Sequence, residues 1–161
     1  MAGRQHTYRT SLEWTGNAGA GTSDDRSYSR DHTIRAGTKP ALPGSSDPAC
    51  RGDPARWNPE ELLVAALSAC HQLAYLHLCA THGITVTAYR DDAEGEMVET
   101  ADGGGRFTQV VLKPEVLVRA GDDVGLAARL HRDAHQRCFI ASSVNFPVAC
   151  EPNISEEAAR T

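Results

Sequence analysis

The chain has 161 residues, 16 of them Lys or Arg and 21 Asp or Glu, for a formal charge of −5. That length suits one domain with a real core, and the acidic balance excludes the basic face of a nucleic-acid binder. Five cysteines, an odd number with no CxxC pair, do not make a secreted disulfide framework. The opening stretch MAGRQHTYRT has no apolar segment of the kind a secretory signal needs. A reducing cytoplasm is the expected setting, and there a functional cysteine is catalytic sooner than structural.

In chain order, residues 5–14 (QHTYRTSLEW) alternate well enough for a first strand, and residues 27–36 (SYSRDHTIRA) for a second. The Gly/Ser/Asp-rich TGNAGAGTSDD between them reads as the connection of a hairpin. The first part of the chain also carries Arg26, Arg30 and Arg35. Residues 37–56, dense in Pro, Gly, Ser and Asp and bearing Cys50 and Arg51, predict a long irregular loop, which in a compact domain points to a functional segment.

The dominant stretch follows, WNPEELLVAALSACHQLAYLHLCATHG at 57–83. Asn58 suits an N-cap, Pro59 the first helical position, and Glu61 completes a capping box. Gly83 is the expected stop. Apolar residues go all the way round, which predicts a central core helix covered on most sides. His71, Gln72 and His77 interrupt it short of the roughly 20 apolar residues of a membrane span. Cys70 sits mid-helix, sharing a face with Leu63, Ala66, Leu67 and Ala74, and read from position alone it is a small buried hydrophobe. Cys79 points to nearly the opposite side.

After the helix, GITVTAYRDDAEGEMVET at 83–100 predicts a pair of short strands, and DGGG at 102–105 a tight turn. RFTQVVLKPEVLVR at 106–119 reads as one longer strand with a bulge or sheet edge at Pro114. Residues 122–144 predict a second helix capped by Asp122 or Asp123, with Val124, Ala127, Ala128, His131, Ala134, His135 and Cys138 at helical spacing. NFPVACEPNIS predicts one short final strand, then a polar tail over 151–161. Strands and helices in separate blocks give an α+β class in a single domain spanning 1–161.

Two groups carry metal-ligand types at helical spacing: His131, His135 and Cys138 on the second helix, and His77, Cys79 and His82 near the end of the first. With no HExxH or CxxC motif, neither is expected to hold a metal, and no cofactor is expected. Cys70 and Cys138 can face each other if the helices pack, because axes about 8–10 Å apart sit close to the roughly 7 Å Cα limit of a disulfide. The sequence alone does not imply the pairing.

Asn58-Pro59-Glu60-Glu61-Leu62-Leu63 with Ala69-Cys70, and then Ala134-His135-Gln136-Arg137-Cys138, resemble the OsmC/Ohr family of peroxide-reducing proteins. That family has an Asn-Pro-Glu-x-Leu segment with a cysteine ten residues after the glutamate, and a second cysteine in Ala-His-x-x-Cys. Here Phe139 replaces the proline that usually follows the second cysteine, and the loop before Arg56 looks long. The resemblance implies antiparallel sheets wrapped around a long central helix in an intertwined homodimer, with sites at the interface. It implies a thiol peroxidase for organic hydroperoxides in which Cys70 becomes a sulfenic acid, Cys138 resolves it, and an external dithiol, lipoyl-type or another small one, restores both. It further implies that Glu60 holds an arginine beside Cys70, for which Arg30 and Arg51 are the candidates, Arg30 preferred. Glu60 lies about 15 Å along a straight helix from Cys70, so service to a second subunit's cysteine is the expectation. The alternatives are a dimeric binding module for a small apolar ligand and a His/Cys metal protein.

Overall fold

The computed structural model describes residues 3–158, whose contacts divide the chain into two compact units, 1–62 and 63–161. Each is described by itself.

In the first unit, β1 (Ser11–Trp14) and β2 (His32–Arg35) pair antiparallel as the expected hairpin, with Leu12 opposite Ile34. Both strands are shorter than their sequence patterns. The Trp14 indole donates to the Ser29 carbonyl at 2.9 Å and meets the Tyr28 ring edge-on. Residues 37–56 are more regular than expected: β3 (Leu42–Gly44) adds to β2, and Pro48–Cys50 forms a 3-10 turn capped by the Asp47 side chain. Proline and glycine hide this strand from sequence reading, since β3 is Leu-Pro-Gly. Buried Ser45 ties the segment together. Its N–H donates to the Trp57 carbonyl, its hydroxyl donates to Asp31, and it accepts from the Asp53 N–H.

Helix α1 (Pro59–Thr81) begins as its capping box requires: the Glu61 N–H donates to Asn58 Oδ1 at 2.7 Å and the Asn58 N–H to Glu61 Oε2 at 3.2 Å. It ends at Gly83, whose φ of 77° only glycine adopts freely, with the Ile84 N–H reaching back to the Cys79 carbonyl. Unlike the expectation of cover on most sides, α1 buries one stripe, namely Leu67, His71, Tyr75, Leu78 and Cys79, and leaves Leu73 68% exposed. By length and apolarity α1 meets the requirement for a membrane span, contrary to the sequence reading; its buried stripe is packed inside the second unit.

The rest of that unit is two three-stranded sheets and a second helix. β4 (Val86–Asp91) pairs antiparallel with β7 (Pro114–Val118), which runs parallel to β9 (Asn153–Glu156). β5 (Glu94–Glu99) pairs antiparallel with β6 (Gly105–Leu112), which runs parallel to β8 (Val148–Cys150). Three expectations are corrected here. The strands of 83–100 do not pair with each other but enter different sheets. Residues 106–119 are two strands, because the chain turns from one sheet to the other at Lys113-Pro114. The stretch expected as a polar tail contains β9, and its last three residues lie outside the described ones. The corner is held by Asp91, which accepts from the Lys113 N–H at 2.7 Å and from the Ser68 hydroxyl at 2.5 Å, and by the Glu151 N–H on the Leu112 carbonyl.

Helix α2 (Val124–Arg137) is capped by Asp123 through the Leu126 N–H at 2.8 Å. It stops earlier than expected. Cys138 is its C-cap, in extended backbone, and a 3-10 turn at Ala141–Ser143 follows. Two cores result. Tyr75, Leu78 and Cys79 of α1 join Val116, Val118, Ala127, Leu130 and Ala134, whereas Leu67 joins Val110 and Leu112. At the second, Gly95 of β5 lies so close to α1 that a Cβ there would meet Val64 Cγ2 at 2.7 Å.

His71 and His131 are buried at this centre, with the His131 ring stacked on Tyr75 at 3.7 Å between centroids. Burial pushes their imidazoles down to about 4 and about 3, Asp91 partly opposing this at His71. The unfolded chain takes up these protons below about pH 6.5 and the folded chain does not. Stability from both groups is therefore present above pH 6.5 and is lost as the pH falls towards 4. Denaturant titrations should show a shallower loss over that range in His131→Phe, which keeps the stack. Asn58→Ala should destabilise the fold by about 1 kcal/mol with an unchanged denaturant m-value.

Candidate active site

Cys70 and Cys138 are brought together by α1 and the end of α2. Cys70 is half-buried at mid-helix, where the sequence placed it, and Cys138 is buried. Both are free thiols. Burial first, and then the neighbouring Cys70 thiol, push the Cys138 thiol up to about 11, while the Ala141 N–H, 3.4 Å from its sulfur, acts in the opposite direction. Cys138 is thus held as a thiol, aimed at Cys70. The turn that follows fixes it further. The Ser142 N–H and hydroxyl both donate to the Cys138 carbonyl at 3.0 Å, and the Cys138 N–H donates to the His135 carbonyl. The departure at Phe139 places a ring that is 78% exposed beside Cys138, just as Leu73 stands exposed one turn from Cys70.

The remaining sequence candidates lie in the first unit. Arg30 and Arg51 converge on one carboxylate, Asp25. Arg30 Nη2 is 2.6 Å from Asp25 Oδ1, Arg30 Nη1 donates to the Asp25 and Tyr28 carbonyls, and its guanidinium lies 4.3 Å over the Tyr28 ring. Arg51 pairs with Asp25 Oδ2 and also donates to the Asp25 carbonyl. The resemblance implied that Glu60 holds the arginine, but among the described residues Asp25 holds both. Glu60 Oε2 is buried with no hydrogen-bond partner among the described residues. Nothing in the sequence distinguishes Asp25 from other loop aspartates, so its role was missed.

The metal-ligand groups suggested by helical spacing are not assembled as written. His82 Nδ1 is 2.8 Å from the Leu78 carbonyl, at the end of α1. Instead His131 meets His71 and Cys150, a set that sequence spacing gives no means to find because it comes from α1, α2 and β8.

The family profile for OsmC-like proteins matches residues 52–153. An OsmC-like protein of unknown function from Vibrio cholerae is similar in structure over 92% of this chain and 100% of that one, with 30% identity and a TM-score of 0.84. An organic hydroperoxide resistance protein from Elizabethkingia anophelis shares the fold at 18% identity and a TM-score of 0.67, covering 96% and 100%. That of Bacillus subtilis does so at 17% and 0.59, covering 93% and 98%. No curated protein matches the sequence. With both motifs inside the matched region and the same fold across nearly the whole length, this chain belongs to the OsmC-like family.

Proposed function

We propose that this protein is a cytoplasmic, homodimeric thiol peroxidase that reduces organic hydroperoxides through Cys70 and Cys138. The observation that carries the reading is the adjoining pair of free thiols, one half-buried on a helix and one buried at a helix C-cap. The Cys70 thiolate attacks the distal peroxide oxygen, the O–O bond breaks, and the alcohol leaves with a proton while Cys70 becomes a sulfenic acid. Cys138 attacks that sulfur, water leaves, and a disulfide forms. An external dithiol, of lipoyl type or another small one, then reduces the disulfide in two exchange steps. Cys138, kept protonated until the sulfenic acid forms, resolves rather than competes for peroxide.

Exposed Leu73 and Phe139 favour an apolar substrate tail over hydrogen peroxide. The same two residues, the half-uncovered α1 and the unpartnered oxygen of Glu60 support a second copy of the chain as the missing cover. In this reading Arg30 or Arg51 supplies the cation that stabilises the Cys70 thiolate, and Glu60 orients it.

Treatment with one equivalent of cumene hydroperoxide should remove two thiols per chain, and in Cys138→Ser should leave a dimedone-reactive sulfenic acid at Cys70. A folded protein that loses no thiols overturns the reading in favour of a non-catalytic binding module. Of Arg30→Ala and Arg51→Ala, one should slow the oxidation of Cys70 roughly tenfold. If neither does, the cation is another group. Sedimentation should give a dimer; a fully active monomer would contradict the shared site.

A further inference from the structure

Behind the thiol pair, in the second unit, lies a separate cluster that the peroxidase reading does not use. His71 Nε2 and His131 Nδ1 are 2.9 Å apart, and Cys150 Sγ lies 3.5 Å from the first and 3.8 Å from the second. Around a tetrahedral ion with metal–nitrogen distances of about 2.0–2.1 Å and a metal–sulfur distance of about 2.3 Å, two nitrogens stand about 3.3 Å apart and nitrogen and sulfur about 3.6 Å. The two nitrogens need to part by about 0.4 Å, and the two rings, their planes 11° apart, need to turn so that both lone pairs face the sulfur side, whose distances already suit an ion. We propose that His71 Nε2, His131 Nδ1 and Cys150 Sγ are the three protein ligands of a site for one borderline divalent ion, zinc foremost, whose fourth ligand comes from solvent.

Three features support it. The far nitrogens, His71 Nδ1 and His131 Nε2, have no hydrogen-bond partner among the described residues, so nothing locks the rings in the tautomers that would forbid coordination. The Asp91 carboxylate acts on both His71 and Cys150, which together with the thiolate balances a doubly charged cation. A cleft of about 470 Å³ reaches His131 and Cys150 from outside and gives the ion a way in and a place for the fourth ligand. Arg129, Arg132 and His135 also line that cleft, so an anionic fourth ligand is favoured over a neutral one. Two imidazoles and a thiolate select zinc or cobalt over magnesium or calcium, which take oxygen ligands.

Binding is balanced by one proton. The Cys150 thiol loses its proton to solvent as the metal–sulfur bond forms, and the proton shared between the imidazoles moves to a far ring nitrogen. Affinity therefore rises with pH.

The test uses the full chain with Cys70 and Cys138 both changed to Ser, so that it stands apart from the peroxidase reading. After incubation with zinc chloride and desalting, elemental analysis should find one zinc per chain. Cobalt(II) chloride should give a near-ultraviolet thiolate-to-cobalt absorption with the visible bands of a four-coordinate ion. Cys150→Ala, which removes a half-buried side chain at little cost to folding, should abolish the thiolate band. It should also weaken zinc binding beyond the roughly 10–100-fold that loss of a mere supporting residue costs; His131→Phe should do the same. A folded protein that retains no metal, or a band that survives in Cys150→Ala, overturns the proposal.

Discussion

The second unit depends on a single constraint: one stripe of α1 has to complete two cores. Leu67 closes the core under β5, β6 and β8, and Tyr75, Leu78 and Cys79 close the one shared with α2 and β7. His71 falls between them, at the level where the chain turns from one sheet to the other and where Asp91 holds the corner. A helix this long spans both cores because each residue adds about 1.5 Å. Its N-terminal capping box and the glycine after its end set where it begins and stops, and so the height at which Cys70 and His71 stand.

That arrangement makes neighbours of two kinds of chemistry. Adjacent residues on a helix point about 100° apart, so Cys70 faces Cys138 while His71 faces the centre, where His131 and Cys150 meet it. The first pair sits beside exposed apolar residues, Leu73 and Phe139, whereas the second lies beside Tyr75 and Asp91, with a cleft reaching His131 and Cys150 from outside. Burial raises the Cys138 and Cys150 thiols and lowers the two imidazoles. One rule, the cost of charge in a poorly solvated place, keeps the thiol beside Cys70 protonated and the two imidazoles at the centre neutral.

Local signals carried the helices, the caps, the β1–β2 hairpin and the two-cysteine motif, because each is written in residues close together in sequence or in a spaced motif. What escaped reading is non-local. Residues 83–100 and 106–119 look like continuous strand text, and only the pairing of β4 with β7 and β5 with β6 shows that the chain changes sheets. Cys150 had no legible role because its neighbours lie 79 and 19 residues away. The apolar circumference of α1 suggested cover all round, yet the second unit covers one stripe and leaves Leu73 exposed.

The central claim is that Cys70 and Cys138 form one redox couple. Peptide mapping of the protein after one equivalent of cumene hydroperoxide tests it most directly, because it identifies which sulfurs join. The account predicts a Cys70–Cys138 crosslink as the dominant product, with Cys50, Cys79 and Cys150 still free. A crosslink from Cys70 to any other cysteine, or Cys138 left reduced after Cys70 is oxidised, would contradict it.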